Sequence, residues 1–103
     1  MELGLLEIDL YKCISNTIST NKVIITQEQL LHIANHHYSD YQVVVSELRS
    51  TLADPDYIFR DRAHVDSALV VRRVQTDQNS CIVLRLCTSA ADARCNSVIS
   101  GWV

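Results

Sequence analysis

The spacing of apolar residues changes near the middle of the chain. Through residue 53 they fall in short runs or at helical intervals, and beyond Pro55 they fall at strand intervals. Residues 10–15 and 22–25 are rich in apolar and β-branched side chains, as short strands or extended segments are, and residues 16–21 form the turn between them. Thr26 stands three residues ahead of Gln29, the arrangement that satisfies free amides at a helix start, so a helix is expected from Gln27 to about His37. At about 100° per residue, Leu30, Ile33, Ala34 and His37 gather on one side of it, and His32 and His36 on the other.

Ser39 or Asp40 caps a second helix, in which Tyr41, Val44, Val45, Leu48 and Leu52 keep the spacing of a buried stripe. It must stop before Asp54, because the residue ahead of a proline is pushed out of the α region. Residues 57–60, 68–75, 81–87 and 97–102 then read as strands, with polar turns such as residues 76–79 between them. This order predicts a single α+β domain over residues 1–103. It begins with a strand or extended segment, continues with two helices and ends in an antiparallel sheet of about four strands. Both helices are expected on one face, leaving the other for a ligand.

Composition narrows the classes. With 48% hydrophobic residues, two glycines and one proline, the chain is neither a disordered linker nor a loop-rich disulfide scaffold. Leu3, Leu5, Leu6, Ile8 and Leu10 are interrupted by Glu2, Glu7 and Asp9 with no basic stretch before them, which is not the pattern of a signal peptide. No apolar run approaches the roughly 20 residues needed to cross a bilayer, so a soluble protein without a membrane partner is expected. Cys13, Cys81, Cys87 and Cys95 lack knuckle spacing and read as reduced thiols.

The formal charge of −3 is unevenly spread. Residues 1–58 hold eight acids and three bases, whereas residues 59–103 hold four acids and six arginines, which makes the second part locally basic.

Several residues have the chemistry of a site. His32 and His36 have the i, i+4 spacing that can place two imidazoles on one metal, with Asp40 as a third donor. Position 33 is Ile where the metalloprotease pattern needs Glu, so no metal site and no cofactor are expected. His37 falls near a helix C-terminus, where the dipole favours the imidazolium form and suits proton transfer. Arg72 and Arg85 interrupt apolar strands, and a guanidinium there must reach water, a carboxylate or an anion such as phosphate. Tyr57 offers a ring for stacking a base, and Ser97 and Ser100 offer hydroxyls to a phosphate. No glycine-rich phosphate loop, nucleophile elbow or paired-carboxylate motif is present.

In chain order, residues 10–15 (LYKCIS), 23–26 (VIIT), 32–37 (HIANHH), 54–58 (DPDYI), 67–72 (SALVVR), 84–89 (LRLCTS) and 96–102 (NSVISGW) resemble successive motifs of the phage-associated barnase/EndoU/colicin/RelE-like nuclease family. The resemblance covers residues 10–103. It implies a toxin-like, metal-independent endoribonuclease of a phage, prophage or bacterium, in which the RNA 2′-hydroxyl attacks and a cyclic phosphate is left. It further implies a cytoplasmic setting in a bacterial or infected cell, delivery as a toxin being open, with tRNA or rRNA as substrate and an immunity or antitoxin protein as partner. By position, His37 and His32 match the family histidines, Arg72 and Arg85 the strand cations, and Ser100 the hydroxyl before the closing aromatic. His37 is then expected to transfer protons, Arg72 and Arg85 to stabilise the phosphorane, and Ser100 to contact a nonbridging oxygen. Arg73, Tyr57, His36 and Ser97 are expected to bind substrate. His36 stands where the family has a stronger base, and no mid-strand carboxylate is present. The alternative function is therefore a catalytically degenerate RNA- or protein-binding module of the same fold.

Overall fold

A computed structural model of the chain describes residues 1–36, 38–63, 66–88 and 95–103, with Asp40 described by its backbone. Among them, strands β1 (Glu2–Leu5) and β2 (Lys22–Ile24) lead into helices α1 (Gln27–His36) and α2 (Tyr41–Ala53). Strands β3 (Tyr57–Arg60), β4 (Ser67–Gln75), β5 (Gln78–Arg85) and β6 (Asn96–Trp102) follow.

The local signals act where they were read. The Thr26 hydroxyl accepts the Gln29 amide at 3.2 Å at the start of α1, and α2 stops at Ala53, two residues before Pro55. The turn between β4 and β5 is Thr76–Asp77, and β5 takes up Gln78 and Asn79, which the sequence assigned to the turn.

The six strands form one sheet in the order β1-β2-β6-β5-β4-β3. The fold is α+β, as expected, but the sheet is mixed rather than antiparallel. β2 runs parallel to β6, and β1 completes that side as an antiparallel edge strand. β1 left little trace in the sequence because it is four residues long and contains Gly4, whose φ of 97° lies in the left-handed region. Residues 10–15 are not a strand. A short 3-10 turn spans Ile8–Tyr11, and its last residue is drawn into the core, where the Tyr11 hydroxyl donates to the Leu52 carbonyl at 2.9 Å.

Asn96 fixes the parallel junction. Fully buried, it donates from Nδ2 to the Thr20 and Lys22 carbonyls at 2.9 and 3.0 Å and accepts the Cys87 amide on Oδ1 at 2.8 Å. The entry to β2 and the segment after β5 are thereby tied to the first residue of β6.

Val44, Leu48 and Leu52 of α2 belong to one buried cluster with Ala68, Val70, Ile82, Leu84 and Val98. Each Val, Leu or Ile among them contributes about 1.5–3 kcal/mol of burial. Two contacts seat α2 on its sheet face. The Thr51 hydroxyl donates to that of Ser80 at 2.9 Å, and Gly101 lies so close beneath Val44 that a Cβ there would stand 2.8 Å from Val44 Cγ1.

Candidate functional site

Residues paired directly across strands share a face, and so do residues two apart along a strand. Since Ser80, Ile82, Leu84 and Gly101 face α2, the opposite face is composed of their alternates. One row holds Tyr57, Val71, Cys81 and Trp102, the next holds Leu69 between Phe59 and Val83, with Ser100 beyond, and Arg85 pairs with Ser97 in the row after that. Arg73 and Asn79 form a further row at the hairpin end.

An irregularity in β6 puts both serines on this face. Leu84 pairs with Val98 and Val83 with Ser100, which leaves Ile99 as an extra residue. Serines three positions apart would face opposite sides of a regular strand; the bulge brings Ser97 and Ser100 to the same side.

Ile33 of α1 belongs to the same buried cluster as α2 and its sheet face, and the exposed side of α1 borders the opposite face. Gln29 and His32 of α1 border it, and with Val83, Arg85, Ile99 and Ser100 they line a cleft of about 500 Å³. The reason lies in the connection. β2 pairs with β6 near the middle of the sheet, and α1, which follows β2 directly, meets the sheet chiefly at β6.

Three of the expected catalytic residues, His32, Arg85 and Ser100, therefore meet in one cleft. Arg85 is exposed and has no acidic partner among the described residues. The His36 ring stacks on that of His32 with centroids 4.3 Å apart, and its Nδ1 lies 3.1 Å from the His32 carbonyl oxygen. His36 thus supports the cleft's imidazole from the exposed side. Ser97, opposite Arg85 in the ladder, completes that end of the face.

Tyr57 and Arg73 are brought together elsewhere. With Asp56, Phe59, Val71 and Asn79 they line a second hollow of about 580 Å³ toward the β3 edge. Arg72 joins neither site. It lies on the α2 side, where its guanidinium sits 3.7 Å from Glu47 and 4.0 Å from Asp54 and donates from Nε to the Asp54 carbonyl at 3.2 Å. Arg72, expected to act beside Arg85 on a phosphorane, is not brought together with it, because strand alternation turns it away from Arg73 and Arg85. His37 lies outside the described residues.

Gln29, Phe59 and Asn79 line these sites without having stood out in the sequence. Gln29 is three residues before His32 on a helix, and Phe59 is two after Tyr57 on a strand, so each period would have placed it beside its neighbour. Asn79 had no such signal until the hairpin register set it opposite Arg73.

Chemically, the cleft offers an imidazole for proton transfer, a guanidinium for an anion and a hydroxyl for hydrogen bonding. Cys81 lies on the same face, but burial pushes its thiol up, away from the thiolate a nucleophile needs. Among the described residues no three His, Cys, Asp or Glu side chains are grouped to hold a metal ion, and no helix is long and apolar enough to cross a membrane. No family model, curated protein or solved structure matches the chain, so the functional reading rests on the site's own geometry.

Proposed function

We propose that this chain is an endoribonuclease domain that cleaves RNA through the RNA's own 2′-hydroxyl in the cleft between α1 and β6. The observation that carries this reading is the meeting of His32, Arg85 and Ser100 in that cleft, since each supplies a different requirement of the reaction. The 2′ oxygen attacks phosphorus and gives its proton to the His32 imidazole. The bond from phosphorus to the 5′ oxygen breaks, leaving a 2′,3′-cyclic phosphate. The departing oxygen takes a proton from water, and His37, which lies outside the described residues, is given no place in the cleft. Arg85 neutralises charge building on the phosphorane, and Ser100 donates to a nonbridging oxygen.

A second reading, an RNA-binding module without cleavage, draws support from the net charge of −3 and from the absence of a carboxylate among the cleft's lining residues. Incubation of the purified protein with tRNA and rRNA in EDTA separates the two. The nuclease reading expects fragments ending in cyclic phosphate, no cleavage of a 2′-deoxy substrate, and a loss of about 10²- to 10⁴-fold in rate for His32→Ala. Binding without cleavage under all conditions supports the module. Cleavage of the 2′-deoxy substrate rejects the mechanism.

A further inference from the structure

We infer that the hollow at the β3 edge is a base-stacking subsite on the same face, which makes single-stranded RNA the substrate class. This inference rests on the RNA reading of the cleft and extends it to a second position along the same strand of nucleic acid.

Tyr57 and Phe59 are 63% and 51% exposed on an edge strand, with ring centroids 5.8 Å apart and planes inclined by 16°. Edge strands commonly carry charges that discourage pairing, whereas this one presents two parallel rings to water. A flat, exposed pair of aromatics is a surface on which a nucleobase stacks, whatever its identity.

The hollow's polar groups suit the rest of a nucleotide. Arg73 is exposed and its guanidinium has no acidic partner among the described residues, leaving it available to a phosphate. Among the described residues Asp56 is the only acid lining the hollow, and its Oδ2 already accepts the Arg73 backbone amide at 2.7 Å. Asn79 adds an amide that can donate to or accept from a base edge.

Register joins this hollow to the cleft. Phe59, Leu69, Val83 and Ser100 form one row across β3, β4, β5 and β6, so three strand spacings, about 14 Å, separate the backbone of Phe59 from that of Ser100. Between them lie Leu69, Val71 and Cys81, uncharged and only partly buried. Arg85 and Arg73 mark the two ends. An extended strand can therefore cross the sheet with one phosphate at Arg85 and Ser100 and a base a few nucleotides away on Tyr57 and Phe59. A duplex cannot use the rings, because its base faces are already stacked on one another.

The test uses the whole protein and a short 2′-O-methyl RNA carrying a fluorophore, which cannot be cleaved through the blocked 2′ oxygen. Fluorescence anisotropy is expected to show binding of the single strand and at least tenfold weaker binding of its duplex. The Tyr57→Leu/Phe59→Leu variant should bind the single strand about tenfold or more weakly, with an unchanged far-UV spectrum. Equal affinity of variant and wild type, or equal affinity for single strand and duplex, overturns the subsite and leaves the cleavage reading to its own His32 test. Binding with these preferences but without RNA cleavage upholds the subsite and removes the nuclease reading. No RNA binding by the wild type removes both. A wild-type dimer that the double variant dissolves, with no change in RNA affinity, assigns the rings to a second copy of the chain and overturns the inference.

Discussion

Replacing Asn96 with Leu should be among the most damaging single changes in this chain, although the side chains are similar in size. Asn96 is fully buried and makes three hydrogen bonds, two donated to the Thr20 and Lys22 carbonyls and one accepted from the Cys87 amide. Leucine leaves all three backbone groups without that partner. Each bond contributes about 1 kcal/mol net, and a buried group left unpaired costs about 1–3 kcal/mol, so a loss of about 3–5 kcal/mol is expected. Small domains have only about 5–15 kcal/mol in all. With a slope of about 1.5 kcal/mol per molar urea, the midpoint should fall by roughly 2–3 M.

Urea titration followed by the fluorescence of Trp102, the sole tryptophan, which sits in β6 itself, measures the shift directly. Asn96→Asp provides a control with a sign. Its carboxylate would face two carbonyl oxygens, while its protonated form can donate to one, so folding raises its pKa above the unfolded value. The variant's deficit relative to wild type should therefore be largest near neutrality and shrink as pH falls through the raised folded value. A loss under about 1 kcal/mol for Asn96→Leu, with an unchanged urea slope, would refute the claim that this side chain holds the parallel junction.

Gly101→Ala should cost about 1–3 kcal/mol in a thermal melt, because its Cβ would stand 2.8 Å from Val44 Cγ1 and 3.1 Å from Ile82 Cδ1; the cost should shrink in a Val44→Ala background. Arg72→Met should change stability by no more than about 1 kcal/mol and leave RNA affinity and its salt slope intact, whereas Arg85→Met should lower both, as filter binding at several salt concentrations will show. Burial, with a smaller contribution from Cys13, pushes the Tyr11 hydroxyl well above its ordinary range. Its folded form thus holds the proton that the unfolded chain releases near pH 10. The stability it contributes should be complete below about pH 10 and decline above it, and Tyr11→Phe should flatten that alkaline decline in pH-dependent urea titrations.

The helices were legible because their signals are local. A Thr26 hydroxyl can reach the Gln29 amide wherever the rest of the chain goes, and Pro55 restricts the residue before it by steric contact alone. The strands after Pro55 were legible from their period for the same reason. Strand period by itself puts Tyr57 and Phe59 on one face and Arg72 and Arg73 on opposite ones, but it cannot say which face meets α2.

Tertiary structure alone made that choice. It joined β2 to β6 in parallel, a pairing between segments more than seventy residues apart for which neither strand carries a code, and it brought β1 to the edge beside β2. It drew Tyr11 into the core and so made a turn of residues that read as a strand. It also inserted Ile99 into β6, and that one extra residue puts Ser100 on the side of Arg85 and Ser97. Sequence could nominate His32, Arg85 and Ser100 one at a time from their chemistry. Their meeting in a cleft depends on the register of paired strands and on where α1 comes to rest, both set by the burial of side chains distant in the chain.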